Sequence, residues 1–213
     1  MQTDELIRSL AAEAKPVRRG AMALRLVAAL VAGILVSFAV MIPWLGLRPD
    51  LQEAAGTSPY WAKFGYTLAL AVVAFWATER LARPGERARK QGLAMLVPFA
   101  AIAVLAAIQL WGAPPVEHIP LWMGQSWGLC PWRIVVLSLP ILGAMIWAMR
   151  GMAPTRLTVA GLAAGLAAGA AGAWVYAFHC DAVAMPFLAL WYTLGIVVTG
   201  AVGALIARPL LRW

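Results

Sequence analysis

Six apolar stretches, each about 20 residues long, divide this 213-residue sequence and constrain its fold more than any other feature. A helix needs about 20 apolar residues to cross the roughly 30 Å hydrocarbon core of a bilayer. None of the stretches alternates between apolar and polar residues, as the strands of a membrane β-barrel do. The sequence therefore predicts an all-α, polytopic membrane protein with six transmembrane helices, at residues 22–44, 61–78, 93–111, 132–149, 157–178 and 185–207.

The composition agrees with this fold class. Hydrophobic residues make up 63% of the chain, charged residues make up only 12%, and the mean hydropathy is +0.80. Soluble domains carry about twice that share of charged residues. The first apolar stretch follows an acidic start and is longer than the apolar part of a secretory signal peptide, so it is predicted to be a retained helix.

Basic residues lie mainly on one side of the predicted bundle. Since Lys and Arg next to membrane helices resist translocation, the side that carries most of them is cytoplasmic. Three basic residues fall on the opposite, non-cytoplasmic side: Arg48, Lys63 and Arg133. The other fourteen of the 17 fall in four segments, at residues 1–25, 79–90, 150–156 and 208–213. Both termini are therefore predicted to be cytoplasmic.

This topology divides the chain into three parts. A cytoplasmic tail covers residues 1–21, a six-helix transmembrane domain covers residues 22–207, and a short cytoplasmic tail covers residues 208–213. The net charge of +8 follows from the asymmetry of the basic residues and suits contact with anionic membrane lipid. No nucleic-acid partner is inferred.

Ionisable side chains are confined to the ends of the predicted helices. Arg25, Glu79, Arg133 and His179 all lie within about one turn of an interface, where long side chains can reach the membrane surface. Transporters and proton pumps need ionisable groups deep in the bundle to bind an ion or a substrate. A small transporter is therefore a disfavoured function.

The sequence contains two cysteines, both predicted at the non-cytoplasmic ends of neighbouring helices. Cys130 precedes the fourth helix by two residues, and Cys180 follows the fifth helix by two. A short loop joins these helices into an antiparallel hairpin, so the thiols are expected to lie close together, as a disulfide requires. The pair is a structural disulfide, a regulated thiol site or a coincidence. His179 and Asp181 favour a regulated site, because thiolates and imidazole together bind soft metal ions.

The fifth helix carries a run of small residues. Gly161, Gly165, Gly169 and Gly172 follow one another at spacings of four, four and three, which places them along one helical face. A face without side chains lets a second helix approach closely. This face is predicted to pack against another helix, either within the same chain or across a homodimer.

The N-terminal tail is predicted to contain a short amphipathic helix. Thr3 or Asp4 can cap this helix, and Pro16 ends it. Its apolar face is formed by Leu6, Ile7, Leu10, Ala11 and Ala14. About a dozen residues do not form a stable helix alone in water, so the face is expected to bind its own bundle, the lipid surface or a cytoplasmic protein. The basic loop at residues 79–90 is a rival surface for a protein partner.

Several segments together form a specific combination of sequence motifs, although each motif alone would be weak evidence of a family. They are residues 3–7 (TDELI), 123–134 (MGQSWGLCPWRI), 150–155 (RGMAPT), the glycine-rich fifth helix, 176–181 (YAFHCD), Phe187 and Trp191-Tyr192. Together they resemble the NrsF-type negative regulators of extracytoplasmic-function (ECF) sigma factors, over essentially the whole chain.

The resemblance implies a six-helix inner-membrane anti-sigma factor whose cytoplasmic segments hold a SigF-like sigma factor inactive. It also implies that Cys130 and Cys180 sense a periplasmic stress such as a heavy metal or an oxidant, with Asp181 matching an acidic residue of the family. The protein is accordingly predicted to be a regulator and not an enzyme, with no constitutive cofactor and a soft metal ion as a transient ligand. The main alternative is a membrane thiol oxidoreductase, although the usual C-x-x-C spacing is missing.

Overall fold

The computed structural model describes residues 3–13 and 20–212, and all the regular structure within them is helical. This confirms the predicted all-α class. The helices are α1 (Thr3–Glu13), α2 (Ala21–Leu45), α3 (Leu51–Ala54), α4 (Ser58–Leu81), α5 (Arg89–Gly112), α6 (Pro115–Met123), α7 (Cys130–Met149), α8 (Leu157–Tyr176), α9 (Met185–Phe187) and α10 (Thr193–Leu211). A π-helical turn, Leu188–Tyr192, joins α9 to α10.

Six helices are long and apolar enough to cross a membrane, as predicted. They are α2, α4, α5, α7, α8 and the continuous segment Met185–Leu211. These six helices indicate a multi-pass membrane protein. Short helices α3 and α6 lie in the connections that follow α2 and α5.

Several helix ends differ by one to four residues from the sequence-based expectation, and two of these ends lie at or near a cysteine. Helix α7 begins at Cys130 itself, because Pro131 is favourable in the first turn of a helix. Backbone N–H groups in that turn have no acceptor within the helix, so proline loses no hydrogen bond there. Helix α8 ends at Tyr176, and one further turn follows it, in which the Cys180 N–H donates to the Tyr176 carbonyl. The prediction that each cysteine stands two residues outside its helix was therefore wrong.

Helix α8 is the centre of the bundle and packs against α4, α7 and α10. Its closest contacts are made by the four glycines of the small-residue face, Gly161, Gly165, Gly169 and Gly172. The first three touch α10, where a Cβ on Gly165 would lie 2.8 Å from the Gly200 Cα, and the fourth touches Ser138 of α7. The face is filled by helices of the same chain, so contacts within the chain rather than a homodimer account for it.

Helix α1 occupies the N-terminal tail and carries Asp4 and Glu5 in its first turn, where acidic side chains suit the helix dipole. Ile7 is 57% exposed and Ala11 is exposed. Ala14 and the side chains of Leu6 and Leu10 lie outside the part of the chain that the structure describes.

Candidate thiol site

The two cysteines meet at one end of the bundle. Cys130 opens α7, Cys180 lies in the connection between α8 and α9, and the two thiols lie next to each other. Both are free thiols, and both are buried, with Cys130 fully buried and Cys180 3% exposed. Fifty positions of sequence thus separate two sulfur atoms that are direct neighbours in the fold.

A buried lysine lies beside this pair. Lys63 of α4 has no solvent exposure, and its Nζ donates a 2.8 Å hydrogen bond to the Cys180 carbonyl oxygen. The same ammonium lies 5.8 Å from the centroid of the Tyr192 ring, a cation–π distance. A charged group that is this deeply buried persists only where other groups compensate for its lost hydration.

Arg48 brings a second cation to Cys180. Its Nη1 lies 3.4 Å from the Cys180 carbonyl oxygen, while its Nε and Nη2 each donate to Asp50 at 2.7 Å. This bidentate pair lowers the pKa of the Asp50 carboxyl and raises the pKa of Arg48. The backbone N–H of Arg48 also donates to the Phe178 carbonyl, which ties the loop after α2 to the turn after α8.

Lys63 and Arg48 were missed as site residues by sequence reasoning, which counted them only as basic residues of the outer loops. The signal that could have found Lys63 was its position, two residues inside the predicted stretch 61–78. An ionisable residue inside a membrane helix is a functional candidate by default, because its burial is unfavourable without a partner.

The surroundings of Cys180 favour its thiolate. Its interaction with the neighbouring Cys130 thiol holds the pKa of Cys180 below its ordinary value, against the effect of burial. The Lys63 ammonium and the backbone N–H of Ala182 lower the pKa of Cys180 further. Since the thiolate is the reactive form of cysteine, the site favours reaction at Cys180.

Two tyrosines, Tyr176 and Tyr192, pack next to the thiol site. The rings of Tyr176 and Tyr192 are 5.9 Å apart, and the Tyr192 side chain is fully buried next to Cys180. The Tyr192 hydroxyl makes no well-formed hydrogen bond within residues 20–212. Tyr192 ends the π-helical turn, and such turns occur frequently at functional sites.

A cavity of about 480 Å³ leads to the site. Its walls are formed by Leu45, Leu47, Arg48, Pro49, Asp50, Ser126, Arg133, Tyr176, His179, Cys180 and Asp181. Cys180 belongs to this wall and Cys130 does not, so a small molecule that enters the cavity meets Cys180 first.

The predicted metal ligands Cys130, Cys180, His179 and Asp181 are not assembled as a set. The His179 ring donates from Nδ1 to the Gly46 carbonyl at 3.1 Å, and its Nε2 lies 3.5 Å from Nη1 of Arg133, an obligate donor. Both ring nitrogens are thus directed away from a shared ion. Across residues 3–13 and 20–212, no three His, Cys, Asp or Glu side chains are grouped as a metal site requires.

The comparisons with known proteins agree with one another. The family model described as "NrsF: Negative regulator of sigma F" matches residues 10–213. The anti-sigma-F factor NrsF of Caulobacter vibrioides is 42% identical, and the probable anti-sigma-F factor NrsF of Azospira oryzae is 38% identical, each over the full length of both chains. No solved structure matches the chain significantly.

These matches confirm the predicted family and bear out the expectation of a regulator rather than an enzyme. The membrane thiol oxidoreductase and the small transporter are set aside on the same grounds. The chain belongs to the NrsF family, the negative regulators of sigma F.

Proposed function

We propose that this protein is a thiol-controlled membrane anti-sigma factor. In its resting state it holds an ECF sigma factor of the sigma F type at the cytoplasmic face of the inner membrane. Reaction of Cys180 and Cys130 on the periplasmic side then releases the sigma factor. The observation that carries this proposal is the buried pair of neighbouring thiols next to Lys63, at the end of a cavity.

Two classes of reagent fit the site. A peroxide would be attacked by the Cys180 thiolate, which gives a sulfenic acid on Cys180 and an alcohol or water from the peroxide; condensation with the Cys130 thiol then forms the disulfide and releases water. A soft divalent metal ion would instead bind both thiolates and displace their protons. His179 and Asp181 are not needed for either reaction.

Both reactions change the same electrostatic balance. In the resting site, the negative charge favoured at Cys180 faces the buried ammonium of Lys63. A disulfide removes that negative charge, and a bound metal ion neutralises it. Lys63 then keeps its positive charge without its nearest counter-charge, which is unfavourable in a buried site.

Helix α4 provides a rigid connection to the opposite side of the membrane. Lys63 lies in its second turn, and its other end at Leu81 lies within the basic loop at residues 79–90. A movement of α4 that gives Lys63 access to water would therefore also move this loop. Hundredfold release of a bound protein requires only about 2.7 kcal/mol of difference between two states of the bundle.

The sigma factor is expected to dock mainly on α1, with the basic loop as the second contact. Helix α1 is acidic in its first turn, Ile7 is exposed, and the apolar face predicted from sequence needs a partner to be stable. A helix that places its apolar face in a groove of a partner protein is a common mode of recognition.

The proposal is tested by replacing both cysteines with serine. Serine keeps the approximate size of cysteine but has neither its redox chemistry nor its affinity for soft metals. A reporter gene under a sigma F-dependent promoter should lose its response to a peroxide and to Cd²⁺, while the amount of protein in the membrane stays normal.

A matched control replaces another buried sulfur. Met145→Leu changes a fully buried side chain of the other half of the core and conserves its volume. This variant should respond as the unaltered protein does. A double serine variant that still responds normally would overturn the thiol mechanism.

A further inference from the structure

A second cavity, of about 410 Å³, opens between α5 and α8 at the end of the bundle opposite the thiols. Its floor is α4, which contacts both of these helices. The lining residues are Ala77, Leu81, Arg87, Ala88, Arg89, Gly92, Met95, Arg156, Val159, Leu162, Ala163 and Leu166. This groove is called the α5–α8 groove; apart from the basic loop at its edge, the proposed function does not use it.

Charge and apolar surface are separated along the groove. Arg87, Arg89 and Arg156 lie together at its mouth, all of them exposed, and none forms an ion pair with another residue in the described ranges. Below the arginines the walls are apolar, down to Met95 and Leu166. The mouth therefore suits an anionic group, and the interior suits a hydrocarbon chain.

The depth of the groove limits what can occupy it. Leu166 lies ten residues along α8 from Arg156, which corresponds to about 15 Å at 1.5 Å per residue. That distance is about half the thickness of the hydrocarbon core. A soluble protein that docks on the membrane surface does not reach this depth, whereas the acyl chain of a lipid does.

We propose that the α5–α8 groove binds one anionic phospholipid. The phosphate of the headgroup contacts Arg87, Arg89 and Arg156, and an acyl chain lies in the apolar part between α5 and α8. Because Arg87 and Arg89 end the basic loop that follows α4, the bound lipid would hold this loop at the membrane surface.

Three variants of the full-length protein separate the two halves of this site. Arg87→Gln with Arg89→Gln and Arg156→Gln removes the charges at the mouth. Gly92→Phe fills the groove and leaves its charges in place, since a side chain at Gly92 meets open space. The matched control, Arg150→Gln with Arg208→Gln and Arg212→Gln, removes three arginines that do not line the groove.

Each protein is purified in detergent and titrated with phosphatidylglycerol or phosphatidylcholine, and bound lipid is counted by native mass spectrometry. The unaltered protein and the control should retain one phosphatidylglycerol in preference to phosphatidylcholine. Juxtamembrane arginines each strengthen binding to anionic lipid by about fivefold, so the triple variant at the mouth should bind about a hundredfold more weakly. Gly92→Phe should also lose the lipid.

Two results would overturn the proposal. One is equal retention of both lipids by the unaltered protein. The other is an equal loss of phosphatidylglycerol from the control triple variant and from the triple variant at the mouth, which would show that binding depends on the total charge rather than on the groove.

Discussion

At the scale of single residues, the thiol site combines groups that are unfavourable to bury separately. Lys63 is fully buried, and the carbonyl and the sulfur of Cys180 are the main groups that offset its charge. In turn, the Cys130 thiol and the Lys63 ammonium stabilise a thiolate at Cys180. Each group therefore depends on the others, and a change to one should be measurable at another.

Lys63→Met tests this dependence through pH. The pKa of Cys180 lies below its ordinary value in the folded protein, so its rate of alkylation should reach half of its maximum at a lower pH than the value of about 8.5 for free cysteine. Methionine retains the length of the lysine side chain without its charge, so the midpoint should move to higher pH, and Cys180 should react more slowly near neutrality. The rates are measured by mass spectrometry of the protein treated with iodoacetamide.

Lys90→Met is the control for this experiment, because Lys90 is exposed at the start of α5 and remote from Cys180 in the fold. It should leave the midpoint unchanged. If Lys63→Met also left the midpoint unchanged, Lys63 would have a structural role only.

At the scale of single helices, the sequence predicts what depends on local pattern. The four glycines of α8 share a face in any helix, so close packing along that face was predictable from their spacing. Which helix fills the face was not, because the contacts with α10 join residues far apart in the sequence, such as Gly165 and Gly200. The start of α7 and the end of α8 were each misplaced by two residues, because Pro131 allows α7 to begin at Cys130 and the residues after Tyr176 form a separate turn.

Helix α1 carries a prediction of its own. Burial of a leucine side chain contributes roughly 1.5–3 kcal/mol, so Leu6→Ala with Leu10→Ala should weaken sigma factor binding by several kcal/mol if both leucines contact the partner. The sigma F-dependent reporter should then be active without stress, in cells with normal membrane levels of the variant.

Arg8→Gln is the control, since Arg8 is exposed on α1 and lies outside the predicted apolar face. Its reporter activity should stay low. A double alanine variant with activity as low as that of the unaltered protein would show that α1 is dispensable and would make the basic loop the main contact.

At the scale of the whole molecule, hydropathy alone was sufficient to find the six membrane helices, because a span requires an uninterrupted apolar segment. Only the two cysteines of the thiol site could be predicted from the sequence. Cys130 and Cys180 were found because they are the two cysteines of the chain, whereas Arg48 and Lys63 become part of the site only when α4 and the loop after α2 fold against the end of α8.

The proposed orientation can be tested in spheroplasts with single cysteines in a background that lacks Cys130 and Cys180. Gln52→Cys and Glu117→Cys place an exposed thiol on the proposed periplasmic side, and Thr155→Cys places one on the cytoplasmic side. A membrane-impermeant maleimide should label the first two in intact spheroplasts and the third only after lysis. The reverse pattern would refute the orientation and, with it, periplasmic sensing.

The bond between Lys63 and Cys180 also has a consequence for biogenesis. The carbonyl that accepts from the Lys63 ammonium belongs to a residue synthesised 117 positions later. While the ribosome completes the second half of the chain, α4 therefore enters the membrane with a charged group that has not yet met its partner. Stable insertion of an early helix thus depends on a late segment, and the membrane domain matures as a unit only after Cys180 has left the ribosome.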